Sequence, residues 1–171
     1  MAGTIPGRPK QTPERLATSI IASTYHEMYV NGMLDAAREE ILLLAPNATI
    51  TVYRVPGAFE IPVTAEMVLR HAGSDVVIAF GVIIRGETEH ADLVAASVTD
   101  ALQRMAVDHC VPVVHEVLLL DTEEQADERC LGTTINRGTE AARTGLTMAA
   151  LFRQMRLAMG VAKPMTVFED Q

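Results

Sequence analysis

Apolar residues along this chain alternate between two rhythms, and each change of rhythm marks a change of secondary structure. An apolar run over 17–23 precedes Tyr25, after which Val30, Met33, Leu34, Ala37, Ile41 and Leu42 recur at helical spacing. This predicts a strand over 17–23 and a helix over 30–44. Pro46 and Asn47 end the helix, residues 49–53 alternate β-branched and polar side chains, and Val55-Pro56-Gly57 is a turn signal, so a second strand is expected there. Pro62 suits the first turn of a helix reaching Arg70, with Val63, Met67 and Val68 expected inward and Gly73 as its stop. The run over 75–84 is apolar almost throughout, as in a parallel strand covered on both faces. Leu93, Val94, Ala101, Leu102 and Met105 then fall on one face of a helix over 89–107. A fourth strand is expected over 112–120. Thr122-Glu123-Glu124-Gln125 matches a capping box opening a short helix over 123–130, residues 132–136 form a connection, and a last helix covers 137–158.

Strands alternating with helices imply parallel pairing and right-handed crossovers. The expected fold is therefore a three-layer α/β/α sandwich on a four-stranded parallel sheet. With 171 residues the chain is sized for one domain, placed at 17–158. Pro6, Pro9 and Pro13 among polar residues make 1–16 an expected flexible arm, and 159–171 an expected tail. A composition of 49% hydrophobic and 21% charged residues is that of a folded globular protein, and no apolar run is long enough to cross a bilayer. The net charge of -8, without any Lys/Arg cluster, argues against nucleic-acid partners. Cys110 and Cys130 lack metal or redox spacing and read as reduced core residues of a cytoplasmic protein.

Three segments, 23–26, 55–62 and 85–90, fall where consecutive strands end on one edge, the usual place for ligands in open α/β sheets. Tyr25 there is either a platform for a planar ring or a tyrosine packed over the sheet edge. Gly57 allows close backbone approach. Glu60 either sets a carboxylate beside an apolar wall or serves the start of a helix. Gly86 is expected to free the backbone to turn and Thr88 to cap the next helix, leaving His90 in its first turn. With an ordinary pKa near neutrality, His90 is the general acid/base candidate. The N–H groups at 88–90 suit an anion, but Glu87, Glu89 and Asp92 crowd the same turn, so Arg129 or Arg137 must help hold a phosphate. His115-Glu116 interrupts an apolar strand and calls for solvent, a ligand or a partner chain. The histidines at 26, 71, 90, 109 and 115 show no metal-ligand spacing, and neither a P-loop nor a dinucleotide fingerprint occurs.

Val55-Pro56-Gly57-Ala58-Phe59-Glu60-Ile61-Pro62 followed by Gly81-Val82-Ile83-Ile84-Arg85-Gly86-Glu87-Thr88-Glu89-His90 resembles the 6,7-dimethyl-8-ribityllumazine synthase family. The resemblance continues through Val111-Pro112-Val113 and residues 121–129 to Asn136-Arg137-Gly138, covering about 17–155. It implies a flavodoxin-like fold and the penultimate step of riboflavin biosynthesis. In that step 5-amino-6-(D-ribitylamino)uracil condenses with 3,4-dihydroxy-2-butanone 4-phosphate, releasing phosphate and water, with no cofactor and no metal. By the same resemblance Tyr25 stacks on the pyrimidine, and Ala58, Phe59 and Glu60 hold that substrate and its ribityl chain. Val82, Ile83 and Ile84 contact the ring, and Glu87 and Thr88 face the butanone phosphate. Arg129 binds the phosphate group and His90 transfers protons. It further implies identical subunits in a pentamer or a multiple of pentamers, with Arg129 and the His115 region lent by the neighbouring chain. The sequence departs from the family's pattern at His115-Glu116, usually an aromatic or aliphatic residue followed by a small one. It departs again at 131–135, usually richer in glycine and bearing a lysine, a connection that bears on whether pentamers stay single, pair or close into a shell.

Overall fold

The computed structural model describes residues 6–12 and 14–161. Four strands, β1 (Ala17–Ser23), β2 (Thr49–Val55), β3 (Val76–Ile84) and β4 (Val113–Leu120), form one parallel sheet in the order β2-β1-β3-β4. The main helices are α1 (Glu27–Leu44), α2 (Ile61–His71), α3 (His90–His109) and α5 (Arg137–Met159); α4 (Glu123–Ala126) is a single turn. A 3-10 turn, Ala58–Glu60, leads into α2, and a π-helical turn, Asp127–Leu131, follows α4. The order of elements is the one the alternating rhythm predicts. No helix among the described residues is long and apolar enough to cross a membrane. The expected tail over 159–171 lies outside the described residues beyond Val161, as do residues 1–5 and Pro13 of the expected arm.

Side chains alternate across β3, which explains its unbroken hydrophobicity. Ile78 and Phe80 belong to the core cluster under α1 and α5, with Val30, Met33, Ile41 and Leu146. Val77 and Ala79 belong to the cluster under α2 and α3, with Ile61, Ala65, Val98 and Leu102. The three layers follow directly. One expectation fails on α2: it buries Ile61, Ala65 and Val68, whereas Val63 and Met67 are exposed. Two apolar stripes run along this helix, and the one starting at Ile61 lies against the sheet, leaving Phe59, Val63 and Met67 outward. Leu93 on α3 is likewise exposed.

The α1/α5 layer depends on close backbone approach. A Cβ at Gly138 would lie 1.8 Å from the carbonyl oxygen of Met33, so the first turn of α5 meets α1 with no room for a side chain. The same layer holds a buried carboxylate. Glu40 accepts hydrogen bonds from Arg143 Nε at 2.7 Å and from Arg8 Nε and Nη2 at 2.9 Å, while Arg143 Nη1 donates to the Pro6 carbonyl. Residues 6–12 therefore lie against α1 and α5, and the Thr12 N–H also donates to the Leu44 carbonyl.

Candidate active site

The carboxyl ends of β1, β2 and β3 are staggered by the register of the sheet. Ser23 is level with Val55, whereas β3 continues from Phe80, the partner of Ala22, to Ile84. Val82, Ile83 and Ile84 thus stand beyond the end of β1 and wall a cleft of about 370 Å³. The facing wall comes from the ends of β1 and β2, which are tied together: Thr24 N–H donates to the Val55 carbonyl and Tyr25 N–H to that of Pro56. The three segments that sequence placed on one edge do meet here. Tyr25, Ala58, Phe59, Glu60, Val82, Ile83, Ile84, Thr88 and His90 all line the cleft.

The residues differ in how they are held. Ala58 is buried, whereas Tyr25 and Phe59 are 69% and 61% exposed and stand as aromatic surfaces at the rim. One Glu60 oxygen accepts the Gly57 N–H at 2.9 Å, so the other stays available to a ligand. Gly57 is extended, and a Cβ there would press on that same carboxylate oxygen at 3.0 Å. Its role is to admit Glu60 rather than to adopt a left-handed turn. His90 opens α3 with its side chain at the mouth.

Two local expectations need correction. Thr88 does not cap α3: the cap position is Glu89, without a side-chain hydrogen bond. Gly86 takes no left-handed conformation, and a Cβ there would meet nothing within 4 Å. The turn is held at its ends instead. Arg85 N–H donates to the Leu120 carbonyl, and the Arg85 guanidinium reaches across the turn to Asp92, its Nη2 at 2.7 Å, and sideways to Asp121 through Nη1. Hydrogen bonding from Arg85 holds the Asp92 carboxyl below its ordinary range.

His26 also lines the cleft, which the sequence reading missed. It caps α1 in the left-handed region, φ 55° and ψ 44°, and its ring meets that of Tyr25 edge-on at 4.7 Å. The signal was indirect: the turn from β1 to α1 contains no glycine, and histidine is among the side chains better tolerated in that region.

Glu87, Arg129 and His115 are not brought into this cleft. Glu87 is exposed on the turn. Arg129 sits on the π-helical turn, whose Cys130 is buried in the α1/α5 layer, and its Nη1 donates to the Gln125 carbonyl and to Glu128. His115 and Glu116 line a separate groove along β4, the edge strand, between α3 and α5. There His115 Nε2 lies 3.0 Å from Thr99 Oγ1. Burial lowers the His115 pKa, and burial raises that of Glu116 to about 7, with the charge of Arg137 opposing and that of Glu140 adding to the rise. Among the described residues no Lys or Arg lines the cleft itself. Nor do three His, Cys, Asp or Glu side chains converge as a metal ion would require, among the described residues.

Known proteins are similar to this chain over most of its length. The family model described as 6,7-dimethyl-8-ribityllumazine synthase matches residues 15–153. A 6,7-dimethyl-8-ribityllumazine synthase of Leifsonia xyli is 42% identical over 143 residues, 82% of this chain and 89% of the relative. That of Mycolicibacterium gilvum is 40% identical over 156 residues, 88% and 94% of the two chains. That of Aquifex aeolicus is 38% identical over 148 residues, 86% and 96%. The match runs from β1 through most of α5 and so takes in every segment of the cleft. The chain belongs to the 6,7-dimethyl-8-ribityllumazine synthase family.

Proposed function

We propose that this chain catalyses the condensation of 5-amino-6-(D-ribitylamino)uracil with 3,4-dihydroxy-2-butanone 4-phosphate to 6,7-dimethyl-8-ribityllumazine, releasing phosphate and water. The observation that carries this reading is one cleft, in a chain of this family, that gathers aromatic surfaces, a half-engaged carboxylate and a histidine. The pyrimidine lies on Tyr25 and Phe59 against Val82 and the apolar end of β3. Ala58 to Glu60 hold its polar edge and ribityl chain. The substrate amine attacks the ketone to form an imine, phosphate is eliminated, and the ring closes. Each step moves a proton, and His90 at the mouth gives and takes it. Holding both substrates in one small cleft supplies the rest of the rate.

The phosphate needs a cation that the cleft lacks. Arg85 is occupied by two carboxylates. In this reading Arg129 of an adjacent subunit is the anchor, with Glu87 and Thr88 facing the same group. The exposed rim of Tyr25, Phe59, Val63 and Met67 favours an adjacent chain, as does the groove that holds His115 on β4. A pentamer, single or multiplied, provides one neighbour for each cleft. The reading also places the protein in the cytoplasm, working without a cofactor; Cys110 and Cys130 are both free thiols, Cys130 in the core as expected and Cys110 exposed at the end of α3 instead.

The test is to supply both substrates to the purified protein and follow lumazine absorbance and phosphate together. Equal molar amounts support the proposal. Riboflavin formed from lumazine alone, or substrate binding without phosphate release, would refute it.

A further inference from the structure

We propose that Arg85 is a positioning residue for His90, stapling the turn between β3 and α3 to its own far end and to the end of β4. The inference rests on the proposed role of His90. The turn over 86–89 has little else to fix it. Gly86 contacts nothing at its Cβ position, Glu87, Thr88 and Glu89 are exposed, and no side chain caps α3. A turn so poorly anchored would let His90 wander at the mouth of the cleft.

Arg85 removes that freedom with two arms. Nε and Nη2 meet Asp92 Oδ1 at 3.2 and 2.7 Å, closing the loop between residues seven positions apart with His90 inside it. Nη1 meets Asp121, just past β4, and the Arg85 N–H is fixed by the Leu120 carbonyl. The planar guanidinium donates to both partners at set angles, which a lysine ammonium does not. All three side chains are substantially exposed, so the contacts add little to global stability. Their effect is local. They also engage Asp92 and Asp121, which otherwise would add free negative charge where a phosphorylated substrate enters.

The predicted signature is a split between binding and turnover. Arg85→Met lowers kcat by about ten- to a hundredfold, the scale of a small misplacement of a reacting group. The KM for the pyrimidine, whose contacts Tyr25, Phe59 and Val82 all lie outside the turn, changes by less than about threefold. Arg85→Lys, reaching one carboxylate at a time, recovers part of the loss. In a His90→Ala background, Arg85→Met adds less than about a twofold effect, because a residue acting through His90 has nothing left to position.

Steady-state kinetics of the wild-type, the two single variants and the double variant decide the matter. Equal effects of Arg85→Met with and without His90, or a raised KM at unchanged kcat, would overturn the positioning role while leaving His90 in place. Full turnover by His90→Ala would overturn the role of His90 and this inference with it. Should Arg85→Met fail to fold, Asp92→Asn cuts the same staple and must show the same kcat loss and the same non-additivity; a wild-type kcat there counts against the proposal.

Discussion

Glu116 is a carboxyl whose folded environment favours its proton. Its ordinary value is 4.5 and burial raises it to about 7, so between those two values the folded chain binds a proton that the unfolded chain has released. Stability therefore falls as pH rises across that window, by an amount on the order of 3 kcal/mol if no other group compensates. Glu116→Gln removes the dependence. Denaturant midpoints at about pH 5 and about pH 8 are expected to differ clearly for the wild-type and little for the variant, with the variant the more stable at the higher pH. Arg129 makes the complementary case in binding. Arg129→Ala is expected to raise the KM for the butanone phosphate by about ten- to a hundredfold, the worth of a charged hydrogen bond, with a smaller effect on the pyrimidine. A KM unchanged for the phosphorylated substrate would remove Arg129 from the site. At this scale the sequence was most legible where chemistry breaks an apolar run: Tyr25, Glu60 and His90 stand at strand ends and do line one cleft. The left-handed turn at His26 and the pairing of Arg85 with Asp121 were not legible. Neither leaves a local pattern, the first because histidine has no turn signature and the second because its partner is 36 residues away.

Among the elements, α5 makes the sharpest prediction. Alanine normally replaces a helical glycine with a gain of about 1 kcal/mol. At Gly138 the sign reverses, since the new Cβ would sit 1.8 Å from the Met33 carbonyl oxygen and α1 cannot retreat without opening the core. Gly138→Ala is expected to cost more than about 3 kcal/mol or to prevent folding, read from thermal denaturation. The Glu40 cluster separates two arginines in the same layer. Burial works against the Glu40 charge, and the hydrogen bonds from Arg8 and Arg143 overcome it, holding the carboxyl below its ordinary range. Arg143 is nearly buried and Arg8 is 56% exposed. Arg143→Met should cost about 2 to 4 kcal/mol and Arg8→Ala less than about 1 kcal/mol. Both differences should shrink in acid, because a depressed carboxyl stabilises above the ordinary carboxylate value and ceases to as pH falls through its folded one. Strand and helix order could be read from rhythm alone because the strands are either apolar almost throughout, as in β3, or alternating, as in β2, whereas the helices space their apolar residues three and four apart. The inward face of α2 could not. Its two apolar stripes are equivalent in sequence, and only the sheet decides between Ile61 and Val63.

For the whole molecule, the cleft lies at the strand ends, whereas the turn bearing Arg129 packs into the α1/α5 layer. No periodicity in the sequence contains that separation; it follows from which side of the sheet each crossover takes. A patch on one surface that needs a different patch from a copy makes a head-to-tail contact, and such contacts close into rings when the rotation allows. The pentamer proposed above is a ring of this kind, with His90 from one chain and Arg129 from the next serving each reaction. Subunit mixing tests that claim most directly. Chains carrying His90→Ala and chains carrying Arg129→Ala, each impaired alone, are unfolded together, refolded in equal amounts and assayed for lumazine formation. Random rings contain about one quarter of sites with both residues intact, so the account predicts recovery to about a quarter of wild-type turnover. Activity no higher than the mean of the two separate variants would contradict it.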